Sequence, residues 1–240
     1  MIGNVIALFE GYIKLPSPDD YFDPVTHIAT EENFIKFLQA RIYTADVIGY
    51  KVQLSNSVDY NNGLWVIADV NHDNINTGQS NCYDLISEDS FHKAAFSNSS
   101  PYSGWRSSTA RTWLNNTFYP GFSTEFKNHI LNPKYKSQST WYTDDYVILP
   151  SKVEVNGETG NSTDNEGVAY PIFTGTAGTG ENSSRKKHPA GSTSYVGYWW
   201  LRSRTPSDSN YFYEVYGGDG SIGSAHYEWT YLLAPLLRVS

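Results

Sequence analysis

Asp69-x-Asn71-x-Asp73 repeats the spacing of oxygen ligands that opens an EF-hand calcium loop. The sixth position, where such loops turn on a Gly, is Asn74, and the twelfth, where a bidentate Glu closes the shell, is Ser80. With strand-like runs on both sides, the segment reads as a polar hairpin turn. Asp144-Asp145 with Glu154 supplies the two carboxylates that a glycosidase uses as acid and base. Acidic residues are common in this chain, 25 in all, so hydrolysis is not the expected reading. Cys82 is alone, which rules out an intrachain disulfide and fits a semi-buried structural thiol. His27, His72, His92, His129, His188 and His226 show no His-Glu-x-x-His or Cys/His metal spacing. A Gly-x-Ser-x-Gly elbow and a phosphate loop are also missing. The expectation is a protein without catalytic residues, metal or cofactor.

Aromatic residues carry the remaining chemistry. There are 19 Tyr, 11 Phe and 7 Trp against a single Met, set among Ser, Thr, Asn and Gly. Trp113, Trp199 and Trp200 read as core. Trp141-Tyr142, Tyr211, Tyr213, Tyr227 and Trp229 lie nearer loops and hairpin ends. Rigid amphipathic rings beside small polar residues make adaptable contact surfaces, and rings also stack on the apolar faces of sugars. The competing reading is that these rings simply cover a twisted sheet.

The net charge of −8 argues against sequence-independent nucleic-acid binding, which needs basic residues to replace counterions. Arg185-Lys186-Lys187-His188 is the one basic cluster, and its Gly/Ser-rich surroundings mark it as a solvated loop tip. No apolar run approaches the roughly 20 residues that span a bilayer. Met1 to Pro16 has no basic start, and Glu10 interrupts its apolar run, so it is not read as a signal peptide. The Asn115-Asn116-Thr117 acceptor triplet is then a compositional accident, and folding in a reducing cytoplasm is expected.

These residues need elements to hold them. Residues 1–28 join an apolar stretch, Val5-Ile6-Ala7-Leu8-Phe9, to a Pro/Asp turn at Leu15–Asp20; they are either a docked first strand or an assembly arm. Thr30 caps a short amphipathic helix, with Glu31 and Glu32 at its positive end and Phe34, Phe37, Leu38 and Ile42 at helical spacing. A β-meander follows: Tyr50 to Leu54, a turn at Asn61-Asn62-Gly63, Leu64 to Ala68, a turn at Asn71–Asn74, then Tyr83 to Ile86. Two helices come next. Ser107 or Ser108 caps one, with Ala110, Trp113 and Leu114 on a face; Ser123 caps the other, with Phe122, Phe126 and Ile130 every fourth residue. Tyr146 to Leu149 is a short buried strand. Residues 156–194 read as a long surface loop. Strands return at Tyr198 to Arg202, Asn210 to Tyr216, Ser224 to Trp229 and Leu232 to Val239, with a hairpin turn at Gly217-Gly218-Asp219-Gly220.

Several segments, in order, carry a resemblance. They are Leu64 to Asp69, Trp105-Arg106-Ser107-Ser108-Thr109-Ala110-Arg111-Thr112-Trp113-Leu114-Asn115, Phe122-Ser123 with Ile130, Asp145 to Ser151 with Glu154, Trp199-Trp200-Leu201-Arg202-Ser203, and Ala234 to Val239. Over residues 46–240 the chain resembles a domain-of-unknown-function family of gut bacteria and their phages. That family is regarded as related to C-type-lectin-like domains, including formylglycine-generating enzymes and the variable proteins of diversity-generating retroelements. The family usually has Arg-Pro where this chain has Ala234-Pro235, so an arginine contact there is lost or replaced. Formylglycine-generating relatives bind copper through paired cysteines, which Cys82 alone cannot provide.

The resemblance implies an α+β, C-type-lectin-like fold: two helices packed on small twisted antiparallel sheets, with long loops presenting a ligand face. The expected function is that of a non-enzymatic phage virion surface protein, in capsid decoration, head fibre or tail, that binds a host-surface glycan or protein. Residues 1–45 would attach it to other virion proteins or to sister copies in a homo-oligomer. The expected ligand-binding residues are Trp141, Tyr142, Arg204, Asp208, Tyr213, His226, Glu228 and Trp229. The rival expectations are a purely structural joint without an external ligand and a bacterial carbohydrate-binding surface protein.

Overall fold

The computed structural model describes residues 15–60, 63–101, 103–138, 140–158, 166–173, 179–192 and 197–240. The apolar stretch Val5–Phe9, the Asn61-Asn62 turn and parts of the 156–194 loop lie outside the described residues. In chain order the strands and α-helices are β1 (Ile28–Thr30), α1 (Glu31–Gln39), β2 (Lys51–Leu54), β3 (Gly63–Val70), α2 (Asn74–Thr77), β4 (Tyr83–Ser87), β5 (Phe91–Ala95), α3 (Thr109–Trp113), α4 (Thr124–Lys127), β6 (Ile130–Leu131), β7 (Tyr135–Ser137), β8 (Thr140–Tyr142), β9 (Val147–Ile148), α5 (Lys152–Asn156), β10 (Trp199–Arg204), β11 (Tyr211–Val215), β12 (Ile222–His226), β13 (Thr230–Leu233) and β14 (Leu236–Val239). The chain is an α+β protein of small sheets with short helices.

The larger sheet has the order β1-β2-β3-β4-β14-β6, and β9 also pairs with β14. Its last strand in sequence is thus its most surrounded one. Leu236, Leu237 and Val239 are sealed, as a strand with neighbours on both edges should be. The second sheet runs β12-β11-β10-β13-β5, and β7 with β8 forms a separate hairpin. Both sheets are mixed, not purely antiparallel: β1 runs parallel to β2, and β13 meets β10 in parallel at Trp199–Leu232. The expected Leu232–Val239 strand is in fact two. Proline cannot donate to a ladder, and Ala234-Pro235 marks where the chain crosses from one sheet to the other.

Helix α1 forms as its sequence dictates. Thr30 Oγ1 accepts the Asn33 N–H at 3.3 Å, and Phe34, Ile35, Phe37 and Leu38 turn inward. Phe34 and Phe37 join Phe22 and Tyr83 in edge and stacked ring contacts. Residues 22–39 therefore share the core of the larger sheet. The two expected middle helices are present but shorter. Ser108 Oγ accepts the Arg111 N–H at 3.1 Å, and α3 then widens into a π turn at Leu114–Phe118 that buries both end residues. Helix α4 is a single turn, so Ile130 belongs to β6, not to a helical face. Trp113 is half-buried, stacked at 3.5 Å on His92 and at 5.5 Å on Phe118.

A second, smaller cluster of Val155, Trp199, Leu201, Val215 and Ala234 joins α5 to the second sheet. Ala234 is fully enclosed there, so an arginine side chain has no space at that position. The described part of residues 156–194 is mostly exposed or half-buried and irregular, as a surface loop would be, but it is pinned at several buried points. Tyr170, Arg185 and Lys187 are buried, and the basic cluster is a strap, not a loop tip. Arg185 donates to Val155 O at 3.3 Å and Gly180 O at 3.1 Å, while its own carbonyl accepts the Trp199 indole N–H. Lys187 Nζ donates to the carbonyls of Ser87 and Glu88, and burial pulls its ammonium down to about 8.

Candidate functional site

The charged residues of the family motifs are used in holding elements together. Arg238 and Asp84 face each other across β14 and β4, and Arg238 donates to both Asp84 oxygens at 2.6 and 2.8 Å. Tyr170 adds its hydroxyl to Asp84 at 2.7 Å. Burial works to raise the Asp84 carboxyl, yet the Arg238 charge and hydrogen bonds hold it below the usual range. Arg202 grips Glu154 at 2.7 and 2.6 Å, and Glu154 also closes a capping box with Ser151 at the start of α5. Arg111 reaches Asp145 at 3.0 and 2.7 Å, where the Trp105 indole N–H and the Tyr135 hydroxyl also bond. Arg106 takes Asp144 in a fork at 2.6 and 2.5 Å. Asp144, Asp145 and Glu154 are each matched to an arginine, which ties them to neighbouring elements.

The calcium-like triplet is likewise occupied by the chain. Asp69 accepts from Val70 N and meets His72 Nδ1 at 2.8 Å, Asn71 Oδ1 accepts from Cys82 N, and Asp73 accepts from Asn76. Among the described residues, no group of three or more His, Cys, Asp or Glu is placed to hold a metal ion. Cys82 is fully buried, and that burial pushes its thiol up to about 11.

The eight expected contact residues fall in several places. Trp141 and Tyr142 lie on the β7–β8 hairpin, under Lys134 at 5.6 Å and Arg106 at 4.5 Å respectively. Tyr213 packs beside the smaller cluster, with Lys152 Nζ 4.7 Å from its ring centre. Arg204 ends β10, and Asp208 holds the following turn by accepting the Asn210 N–H at 2.8 Å. His226 ends β12, 3.6 Å from Glu228. Trp229 lies in the turn just before β13 and is 55% exposed. Only His226, Glu228 and Trp229 share one turn; the hairpin pair and Tyr213 stand apart from them.

Trp229 leads to a ring array that sequence reading missed. Its ring is edge-on to Tyr231 at 6.3 Å, Tyr231 stacks on Tyr198 at 4.9 Å and 13°, and Tyr198 meets Tyr216 at 4.8 Å. Trp200 lies 4.8 Å from Tyr231 and is itself fully buried, its indole N–H satisfied by Ala94 O. Lys93, Pro189, Tyr198, Thr230, Tyr231 and Leu232 line a cavity of about 450 Å³ at this array. Glu214 on β11 is 6% exposed, and its Oε2 has no hydrogen-bond partner. Burial, then the nearby Asp219, pushes its carboxyl up to about 7. Burial, then Glu214, then Tyr198 push the Tyr231 phenol up to about 12, so Tyr231 keeps its donor proton at neutral pH. A signal for the array did exist. Alternation alone puts Tyr198 on the Trp200 side of β10, whereas Tyr216 comes level with Tyr198 only through the Trp199–Val215 pairing of the folded sheet.

These features define an α+β domain fastened by buried arginine–carboxylate pairs, with a ring-lined cavity on its second sheet. Residues 81–239 match the family DUF6273, a domain of unknown function, and the chain belongs to that family. No curated protein and no solved structure matches the chain.

Proposed function

We propose that this chain is a non-enzymatic recognition module of C-type-lectin-like fold, carried on the surface of a phage particle as capsid decoration, head fibre or tail component. It contacts a host-surface glycan or protein through the second sheet. The observation that carries this reading is the ring array Trp229–Tyr231–Tyr198–Tyr216, whose two middle rings line a concave cavity, in a chain whose Asp84, Asp144, Asp145 and Glu154 carboxylates are engaged in arginine pairs. Rings beside a cavity offer contact area at little entropic cost. Carboxylates matched to arginines are poorly placed to move protons.

Trp229→Ala tests the reading, because an exposed ring can be removed with little effect on packing. The expected outcome is adsorption to host cells reduced by about tenfold or more at an unchanged melting temperature, in line with loss of one aromatic anchor. Attachment to the particle, or to sister copies, falls to residues 1–45 in this reading. Among the described residues the core begins at Phe22, so a chain lacking residues 1–14 is expected to fold and to be lost from purified particles.

A further inference from the structure

We infer that the cavity at the Tyr198–Tyr231 stack binds an acidic sugar, its carboxylate on Lys93 and its apolar face on the rings. This rests on the recognition reading above and deepens it by naming the ligand class. The two phenol rings are nearly parallel, 13° apart with centres 4.9 Å from each other, and form one stacked unit at the wall. Leu232 and Pro189 extend the apolar wall, and Thr230 adds a hydroxyl that both donates and accepts. An apolar wall with a few polar groups suits a pyranose, which has C–H faces and a rim of hydroxyls.

The charge at the cavity selects among sugars. Lys93 lies on the lining and pairs with no carboxylate among the described residues. In a chain of net charge −8, a cation without a carboxylate partner among the described residues at a concave wall draws anions to that point. A single ammonium is a compact point charge, without the planar fork that arginine offers to multiply charged oxyanions. It matches one carboxylate. Glu214 is not part of the lining; its carboxyl folds over Gly223, where an added Cβ would lie 2.2 Å from Oε1.

The test uses the full chain on an array of oligosaccharides ending in glucuronate, galacturonate or sialate, each printed beside its methyl ester. The ester keeps the ring and hydroxyls and removes only the charge. The expected result is binding at least about tenfold stronger to the acids, the range of one charged hydrogen bond. Lys93→Gln should bring acid and ester to the same level, and Lys93→Arg should keep most of the difference. Equal binding of acids and esters, no binding to any acid, or an unaltered preference in Lys93→Gln would overturn the assignment. Host adsorption of Trp229→Ala separates the two readings. If that variant loses adsorption while the acids go unbound, the ligand class is wrong and recognition stands. If adsorption is also unaltered, recognition itself falls.

Discussion

Replacing Asp84 by Ala leaves the Arg238 guanidinium buried with its main counter-charge gone. Breaking one side of such a pair costs about 3–5 kcal/mol, most of it from the stranded charge. A fall of that size in urea-unfolding free energy is expected for Asp84→Ala, with much of it recovered in Asp84→Leu/Arg238→Met. Glu214 acts in the opposite pH direction from a paired acid. Its folded value of about 7 lies above the 4.5 of an unperturbed Glu, so between those limits the folded chain holds a proton that the unfolded chain has released. Stability from this group is complete below pH 4.5 and is lost as pH rises through 7, by on the order of 3 kcal/mol. The Asp84 contribution is constant well above 3.8 and the buried Lys187 titrates only near 8, so Glu214 is read in the interval from pH 5 to 7. Glu214→Gln should flatten the stability profile there; a profile that keeps its slope would assign it to other groups.

At the scale of elements, the Ser108–Asn115 motif explains itself. Ser108 caps α3, Arg111 reaches Asp145, and Asn115 Oδ1 accepts from the N–H groups of Tyr146 and Val147 while its amide donates to Val147 O at 2.8 Å. One side chain thus does for this face of the strand what a neighbouring strand would do. Ser108→Ala is expected to lower stability by about 1 kcal/mol, as cap removal does. Asn115→Leu should cost more, since it leaves several buried backbone groups unpaired. Caps and short-range alternation were legible from the residues alone: Thr30, Ser108 and Ser123 all cap where expected. Helix lengths were not. Nothing local in Phe122, Phe126 and Ile130 reveals that the last belongs to a strand paired with Val239, because that partner lies more than a hundred residues away. The buried Arg185 and Lys187 were misread for the same reason. Their partners, Val155 and Ser87, come from remote segments, and a Gly/Ser-rich context looks like a loop until those carbonyls are in place.

For the whole molecule, the two sheets divide the work. The larger sheet, with its arginine clasps and the rings of α1, supplies most of the packed core, and the second sheet carries the ring array at its surface. Among the described residues no helix is long and apolar enough to cross a membrane. The ring surface was only partly legible in the sequence. Trp229 stands out by its place at a hairpin end, whereas Tyr198 and Tyr231 belong to it through the contact of two strands whose pairing no local pattern specifies. Hydrogen-exchange footprinting of the full chain, with and without host-cell envelope, measures the division directly. Slowed exchange is predicted at residues 93–95, 197–200 and 229–232, with residues 130–150 unaltered. Protection centred on 130–150, or none on the second sheet, would contradict the assignment of contact to the rings and of holding to the carboxylates.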